Sequence, residues 1–444
     1  MDRSIVAVLL GTFTLRFSTG LTGAMLIYYL ADLPRHGGES VDPRVVGLLA
    51  AMFFVAELVL SPPFGILSDR LGQRPVMQLG PAFGAVAVVL TGLTTSIPLL
   101  GGTRLLEGGS TAASVPSILG YIARATADDE ALRGRVVARF ELATLAGLGI
   151  GLVAAGPLYQ GVGRTAFFLN AVLYGVSWLI YRRGVQELPG GPTGTHRAEQ
   201  VGLRRYGRVL LSSHVWLLAP TWIAINAALG LWTTQSLFQL VKEADPIFSH
   251  DQLLMGGFTP AQVSVGLGVG LAVFFAGLLY WGGRFRSLRR TTIIFYGVGG
   301  GVLAVLCAFL VNHSAGASAV AQVLEVVGAA VGLFVLAGAT PAALGLLADI
   351  SESYPGDRGA IMGLYSVFLA LGQVGGSLIG GEAAHQRGID GILAATLVLV
   401  AIALLPLWRL RAYEHLVGAP AHPVGASSIP GGPPAASQAG EDRA

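Results

Sequence analysis

Charged residues are scarce in this chain and confined to short gaps between long apolar runs. Of its 444 residues, 28 are Lys or Arg and 25 are Asp or Glu, 12% in all, about half the share of an ordinary soluble domain. Hydrophobic residues make up 53%, and Gly fills another 63 positions. A water-soluble protein of this length needs a charged shell that this composition does not supply. Disorder over most of the chain is excluded as well, because it accompanies low hydrophobicity. The composition therefore reads as an all-α polytopic membrane protein, with abundant Gly serving close helix packing in lipid.

The same residues exclude other classes. The formal charge is +3, but the basic residues, all Arg except Lys242, are scattered through short gaps and form no single patch, so no nucleic-acid partner is expected. Cys307 is the only cysteine and lies in an apolar run, which rules out an internal disulfide and a CxxC site. The eight His form no HExxH or close pair. We expect no metal and no cofactor, and no GxxxxGK[ST] loop marks an ATP-driven pump. The basic, apolar N-terminus continues to Leu30 without a clear cleavage site and reads as a retained first span.

A bilayer core takes roughly 20 apolar residues per helix. The chain offers twelve such runs, near 4–30, 44–68, 75–95, 97–122, 136–160, 164–182, 214–240, 259–282, 292–311, 315–348, 358–382 and 388–411. Twelve spans put both termini on one side. Gaps on that side hold 21 of the 28 basic residues and the opposite gaps hold 5, with Arg16 and Arg104 inside spans. The positive-inside rule then places both termini in the cytoplasm of a plasma (inner) membrane protein. The expected organisation is a six-helix bundle over 1–182, a cytoplasmic linker over 183–213, a second six-helix bundle over 214–411, and a disordered Pro/Gly/Ala/Ser-rich tail over 412–444.

The two halves carry an internal repeat. At an offset of 225, Arg133-Gly134 aligns with Arg358-Gly359, Phe140 with Tyr365, and Gly147, Gly151 and Gly156 with Gly372, Gly376 and Gly381. At an offset of 218, Leu105-Leu106-Glu107 aligns with Val323-Leu324-Glu325. Span 5 pairing with 11, and 4 with 10, is what a parallel six-plus-six duplication requires.

The gap between spans 2 and 3 reads Gly65-Ile66-Leu67-Ser68-Asp69-Arg70-Leu71-Gly72-Gln73-Arg74-Pro75. Gly65 allows close helix contact, Gly72 a tight turn, and Asp69 with Arg70 and Arg74 a charge cluster at the membrane surface. This segment resembles motif A of the major facilitator superfamily, in the position that family uses. The resemblance implies the twelve-helix fold and assigns Asp69 a contact with the start of span 11 that helps hold the outward-facing state. Arg104 to Ala113 resembles motif B, whose buried Arg the family links to proton coupling; here Glu107 replaces the usual Gln. Gly156-Pro157 in span 5 partially matches motif C, an antiporter signature, and favours export weakly. The matching loop of the second half, Gly282 to Ser287, lacks the Asp.

Ionisable groups deep in a span are costly and are functional candidates by default. Arg16 and Glu57 each lie roughly 17–18 Å from the inner ends of their spans at about 1.5 Å per residue, so a buried Arg16–Glu57 pair is expected, either structural or coupling. Arg104 and Glu107 share a helix face that is expected to line a central cavity. There, burial and the neighbouring guanidinium would act in opposite directions on the Glu107 proton. Glu325, its counterpart in span 10, is expected in the cavity too. Glu141 is assigned to the charge network around Asp69, with Asp349 and Arg358 as matching parts at the span 10–11 gap. Asn226, Trp232, Gln235 and Gln239 in span 7 suit a weakly polar organic ligand or, equally, helix–helix hydrogen bonding.

The function these residues imply is secondary transport of a small organic molecule by alternating access, as proton-coupled efflux, in a monomer whose partners are its substrate, protons and the bilayer. The alternatives are a proton-coupled sugar or organic-acid uptake symporter, a non-transporting sensor, or an intramembrane enzyme. No reactive constellation supports the last, so the chain is not expected to be an enzyme.

Overall fold

A computed structural model describes residues 2–127, 129–187, 215–243, 246–352 and 358–417, with the backbone alone for 215, 285–286, 348–352, 358–363, 365 and 412–417. Most of the expected linker and all of the tail past 417 lie outside these residues. Among the described residues there are no strands. Six helices form the first half: α1 (Arg3–Ala31), α2 (Pro43–Leu71), α3 (Gln73–Leu93), α4 (Ile97–Ala125), α5 (Glu130–Val162) and α6 (Ala166–Gly184). In the second half, α7 runs through Val215–Leu231, a π turn at Trp232–Ser236, and Leu237–Val241. It is followed by α8 (Pro260–Gly282), α9 (Arg290–Asn312) and α10, which bends between Ala319–Leu336 and Ala339–Glu352. The run Arg358–Val417 is broken at Arg387 and Gly388 (φ +59°) into α11 (358–386) and α12 (389–417).

Local chemistry sets these boundaries. Asp42 accepts from the Arg44 N–H at 2.8 Å and caps α2. Thr259 and Gln262 form a reciprocal capping box at α8. Asp129 accepts from the Leu132 N–H at 2.8 Å, so α5 begins at Glu130, six residues before the apolar run that marks it in sequence. Gly72 ends α2 at φ +95°, a turn open to glycine, as expected. Among the described residues nine stretches are long and apolar enough to cross a membrane, and two of these, Glu130–Gly184 and Ser366–Arg411, each contain two helices. α4 is long enough, but Arg104, Glu107 and its Gly/Ser/Thr run dilute its apolarity.

Helices meet backbone to backbone at glycines, and the repeat is visible in which ones. A Cβ at Gly151 would strike the Phe17 carbonyl of α1, and one at Gly376 the Ala227 carbonyl of α7. Gly147 lies against Phe13 and Arg16 as Gly372 lies against Ile223 and Asn226. Thus α5 packs on α1 as α11 packs on α7, and Asn226 occupies the place of Arg16. The hydroxyl network Thr22–Asn170 (2.7 Å) and Ser177 to the Gly11 carbonyl (2.9 Å) joins α1 to α6.

Gly151→Ala is expected to lower the thermal unfolding midpoint in detergent, because main chain blocks the methyl. Gly161→Ala, in the same helix with open space around it, is expected to leave the midpoint unchanged or raise it, by at most about 1 kcal/mol of helix propensity.

Candidate functional site

The two halves are joined at the end where α1 finishes and α2 begins, here termed the sealed end. Arg44 grips Glu382 of α11 with two hydrogen bonds, Nε to Oε2 at 2.7 Å and Nη2 to Oε1 at 2.9 Å. Asp42 pairs with His385 at 2.7 Å, so the residue that caps α2 also reaches α11. Gln235 Nε2 donates to the Pro43 carbonyl at 2.9 Å. Across α5 and α8, the Gly156 N–H donates to Ser264 Oγ at 3.0 Å, and the Tyr28 hydroxyl of α1 lies 3.5 Å from the same oxygen.

Glycine makes these seams possible, and they come in a matched pair. Gly156 lies against the Pro260 carbonyl at the start of α8, and Gly381 against the Pro43 carbonyl at the start of α2. The Gly156-Pro157 pair of span 5 is therefore part of the seal between halves.

Three charged groups gather between α1, α2 and α5. Arg16 and Glu57 are part-buried and Glu141 is exposed. Arg16 is near enough to act electrostatically on both carboxylates. The expected Arg16–Glu57 ion pair is not formed: no described ion pair within 4.0 Å involves either residue. Arg16 is shared, because Gly147 brings α5 against its Cβ and Glu141 into range. Glu141 is thereby reassigned from the Asp69 neighbourhood. The early start of α5 puts it eleven residues into the helix, about 16 Å along it.

Arg104 and Glu107 form the expected ion pair, with side chains 9% and 3% exposed. They do not line an open cavity. Arg104 lies 4.8 Å from the Phe53 ring centroid. Glu107 shares a stripe with Ser110 and Ser114, which meet Gly80 of α3. The stripe Glu325, Gly328, Gly332 repeats this in α10 and faces Cys307 and Ala304 of α9. Both glutamates thus point into their own half. Glu107 Oε1, Arg104 Nε and Glu325 Oε2 are buried without hydrogen-bond partners.

Asp69 and Arg70 are exposed, and the charge cluster expected around Asp69 does not close: no described ion pair joins it to Arg70 or Arg74. Arg74 donates to the Arg182 carbonyl at 2.6 Å instead. Gly65 meets only Pro116, at ordinary contact distance (3.8 Å), not a close crossing. Asp349 and Arg358 lie in α10 and α11, and their side chains are outside the described residues. In α7, Trp232 donates to Thr396 of α12 at 2.9 Å and Asn226 to its own helix at Trp222, so only Gln235 of the three reaches the other half. Gln239, one turn on, is fully buried with both amide atoms unpartnered. Among the described residues no cluster of His, Cys, Asp and Glu could hold a metal.

Two six-helix sets sealed at one end, with ionisable groups held mid-helix, are the architecture of a secondary transporter. The sequence profile of the Major Facilitator Superfamily matches residues 8–349; the chain belongs to that family of membrane transporters. Among curated relatives, Multidrug resistance protein 1 of Bacillus subtilis (strain 168) is 25% identical over 379 residues, 83% of this chain and 88% of that protein. The class D tetracycline resistance protein of Salmonella ordonez is 28% identical over 257 residues, 56% of this chain and 60% of that protein. The quinolone resistance protein NorA of Staphylococcus aureus (strain MRSA252) is 26% identical over 182 residues, 39% and 45%. In fold, the chain resembles the crystal structure of the nucleoside transporter NupG (TM-score 0.69, 13% identity, 93% of this chain and 99% of that one). It also resembles the human organic anion transporter MFSD10 (TM-score 0.60, 20% identity, 92% and 99%).

Two outcomes follow from this geometry. Removing either member of the Arg104–Glu107 pair is expected to cost about 3–5 kcal/mol by stranding the other charge. The double variant Arg104→Leu/Glu107→Leu is expected to cost less than the sum, as read by thermal unfolding of all three variants. At the seal, Arg44→Glu is expected to increase labelling of a cysteine placed at Ser377 by a membrane-impermeant thiol reagent. Combining it with Glu382→Arg is expected to reverse that increase.

Proposed function

We propose that this protein exports small organic molecules in exchange for protons, by alternating access, as a monomer in the plasma membrane. The relatives named for multidrug, tetracycline and quinolone resistance support export, as does the Gly156-Pro157 pair lying in the seam between α5 and α8. In this reading both termini are cytoplasmic, the sealed end is extracellular, and the halves 1–182 and 214–411 rock about the seam, joined by the 183–213 linker. The observation that carries the coupling is the placement of Arg16 between Glu57 and Glu141 without an ion pair to either. A guanidinium shared by carboxylates on two helices changes its balance between them when those helices move. Loss of a neighbouring positive charge favours protonation of a carboxylate, so helix motion and proton binding are linked. The buried Arg104–Glu107 pair holds the interior of the first half rigid behind this switch. Asn226, Trp232, Gln235 and Gln239 supply amide and aromatic groups for a weakly polar substrate on the α7 side.

In everted vesicles given an inward-acid gradient, wild type is expected to accumulate a quinolone or a tetracycline, and collapse of the gradient to release it. Glu57→Gln and Glu141→Gln are each expected to abolish the gradient-driven component and leave gradient-independent exchange in place. Accumulation that persists unchanged in both variants would remove the shared-guanidinium mechanism. Gradient-driven loss from the vesicles in place of accumulation would turn the assignment to uptake.

A further inference from the structure

At the end opposite the seal, the start of α3 and the last turn of α6 place Arg74, Arg182 and Arg183 at one corner of the first half. Arg74 donates from Nη2 to the Arg182 carbonyl at 2.6 Å, while its Nε is buried with no partner. The Arg182 guanidinium lies 4.8 Å from the centroid of the Trp178 ring, one turn back on α6. Arg183 is the next residue, and both Arg182 and Arg183 are exposed. None of the three forms an ion pair with a described carboxylate; the nearby acidic groups, Asp69 in the last turn of α2 and Glu187 after α6, are exposed and unpaired with them. Positive charge at one corner without a partner among the described carboxylates suits an external anion.

The adjoining surface says what kind of anion. Leading along α6 toward the seal from Arg183 are Leu179, Val176 and Val172, 38%, 42% and 64% exposed. Their spacing at 172, 176, 179 and 183 places them in one stripe on one face of the helix. An apolar stripe about 16 Å long ends in cationic heads and an aromatic ring of the sort found at membrane interfaces. A free phosphate would use only the head of this site. A phospholipid uses both parts: its phosphate meets the guanidinium groups, which suit tetrahedral oxyanions with paired N–H donors, and an acyl chain follows the stripe.

We propose that the α3–α6 corner is a binding site for one anionic phospholipid, its phosphate held by Arg74, Arg182 and Arg183 and one acyl chain lying along Leu179, Val176 and Val172. The site stands apart from Arg16, Glu57 and Glu141, so its occupancy does not depend on the transport reading.

The test uses the full chain reconstituted in nanodiscs of phosphatidylcholine with a minor fraction of phosphatidylglycerol, followed by detergent extraction and native mass spectrometry. Wild type is expected to retain one phosphatidylglycerol in preference to phosphatidylcholine. Each arginine removed is expected to reduce that preference about fivefold, the equivalent of roughly 1 kcal/mol per basic residue near a lipid surface. Arg182→Gln/Arg183→Gln therefore loses about 25-fold. Arg183→Gln alone, an exposed position, serves if the double variant does not fold. Arg409→Gln/Arg411→Gln, which removes equal charge from α12, is expected to leave the preference intact. A second readout is quenching by phosphatidylglycerol with brominated acyl chains, of which the Trp178→Phe variant is expected to lose a component. Equal loss in the α12 variant would show generic surface charge and overturn the site. Displacement of the lipid by inorganic phosphate at equal concentration would show a free-anion site and overturn the lipid assignment.

Discussion

Contact between helix backbones at glycine is the constraint on which the rest of this structure depends. In lipid there is no hydrophobic drive to bring apolar helices together, so association rests on van der Waals fit and on hydrogen bonds made at short range. Gly147 and Gly151 bring α5 onto α1, and Gly372 and Gly376 bring α11 onto α7. Because no side chain stands between these helices, the polar groups at the contacts are forced near one another. Arg16 is carried into range of Glu141 by the same approach that packs α5 on α1. Gly156 and Gly381 repeat the device between the halves, each against the carbonyl of a proline that starts a helix. One physical rule thus builds both the bundles and the seal.

The duplication is symmetric in backbone and asymmetric in charge. Asn226 stands where the first half has Arg16, and Phe274 stands where it has Glu57 by the register of Pro43 and Pro260. Glu107 has a guanidinium partner and its counterpart Glu325 has none among the described residues. Titratable chemistry is therefore concentrated in the first half, while α7 carries amides and an indole. The proposed division of labour between proton handling and substrate contact rests on that asymmetry. The sealed end draws on both halves, since Arg44 and Asp42 come from one and Glu382 and His385 from the other.

The helices and their order were legible in the sequence because apolar runs of bilayer length, broken by Arg-rich gaps, admit few other parses. The repeat was legible in the glycines for the same reason that they matter physically: a position that must lack a side chain is visible as Gly. Boundaries were less so. Asp129 starts α5 six residues early by capping it, and a cap is decided by one side chain that hydropathy does not weigh. That shift, with the Gly147 contact on Arg16, places Glu141 near Arg16 and not in a surface network. The direction in which Glu107 and Glu325 face is not legible in the sequence either. An i, i+3 spacing says that Arg104 and Glu107 share a face, but which neighbour that face meets depends on how α3 and α9 are placed.

By itself the sequence determined the class of solvent this chain folds in, its helical spans, its duplicated plan and the short list of charges that lipid makes expensive. These follow from composition and spacing, which act along the chain. Tertiary structure alone decided which charges touch: that Arg104 closes on Glu107, that Arg16 is shared instead of paired, and that Arg44 and Glu382, 338 residues apart, lock the two halves at one end. Those outcomes depend on angstrom-scale distances between helices. Where glycines let backbones meet, and where caps start each helix, sets those distances.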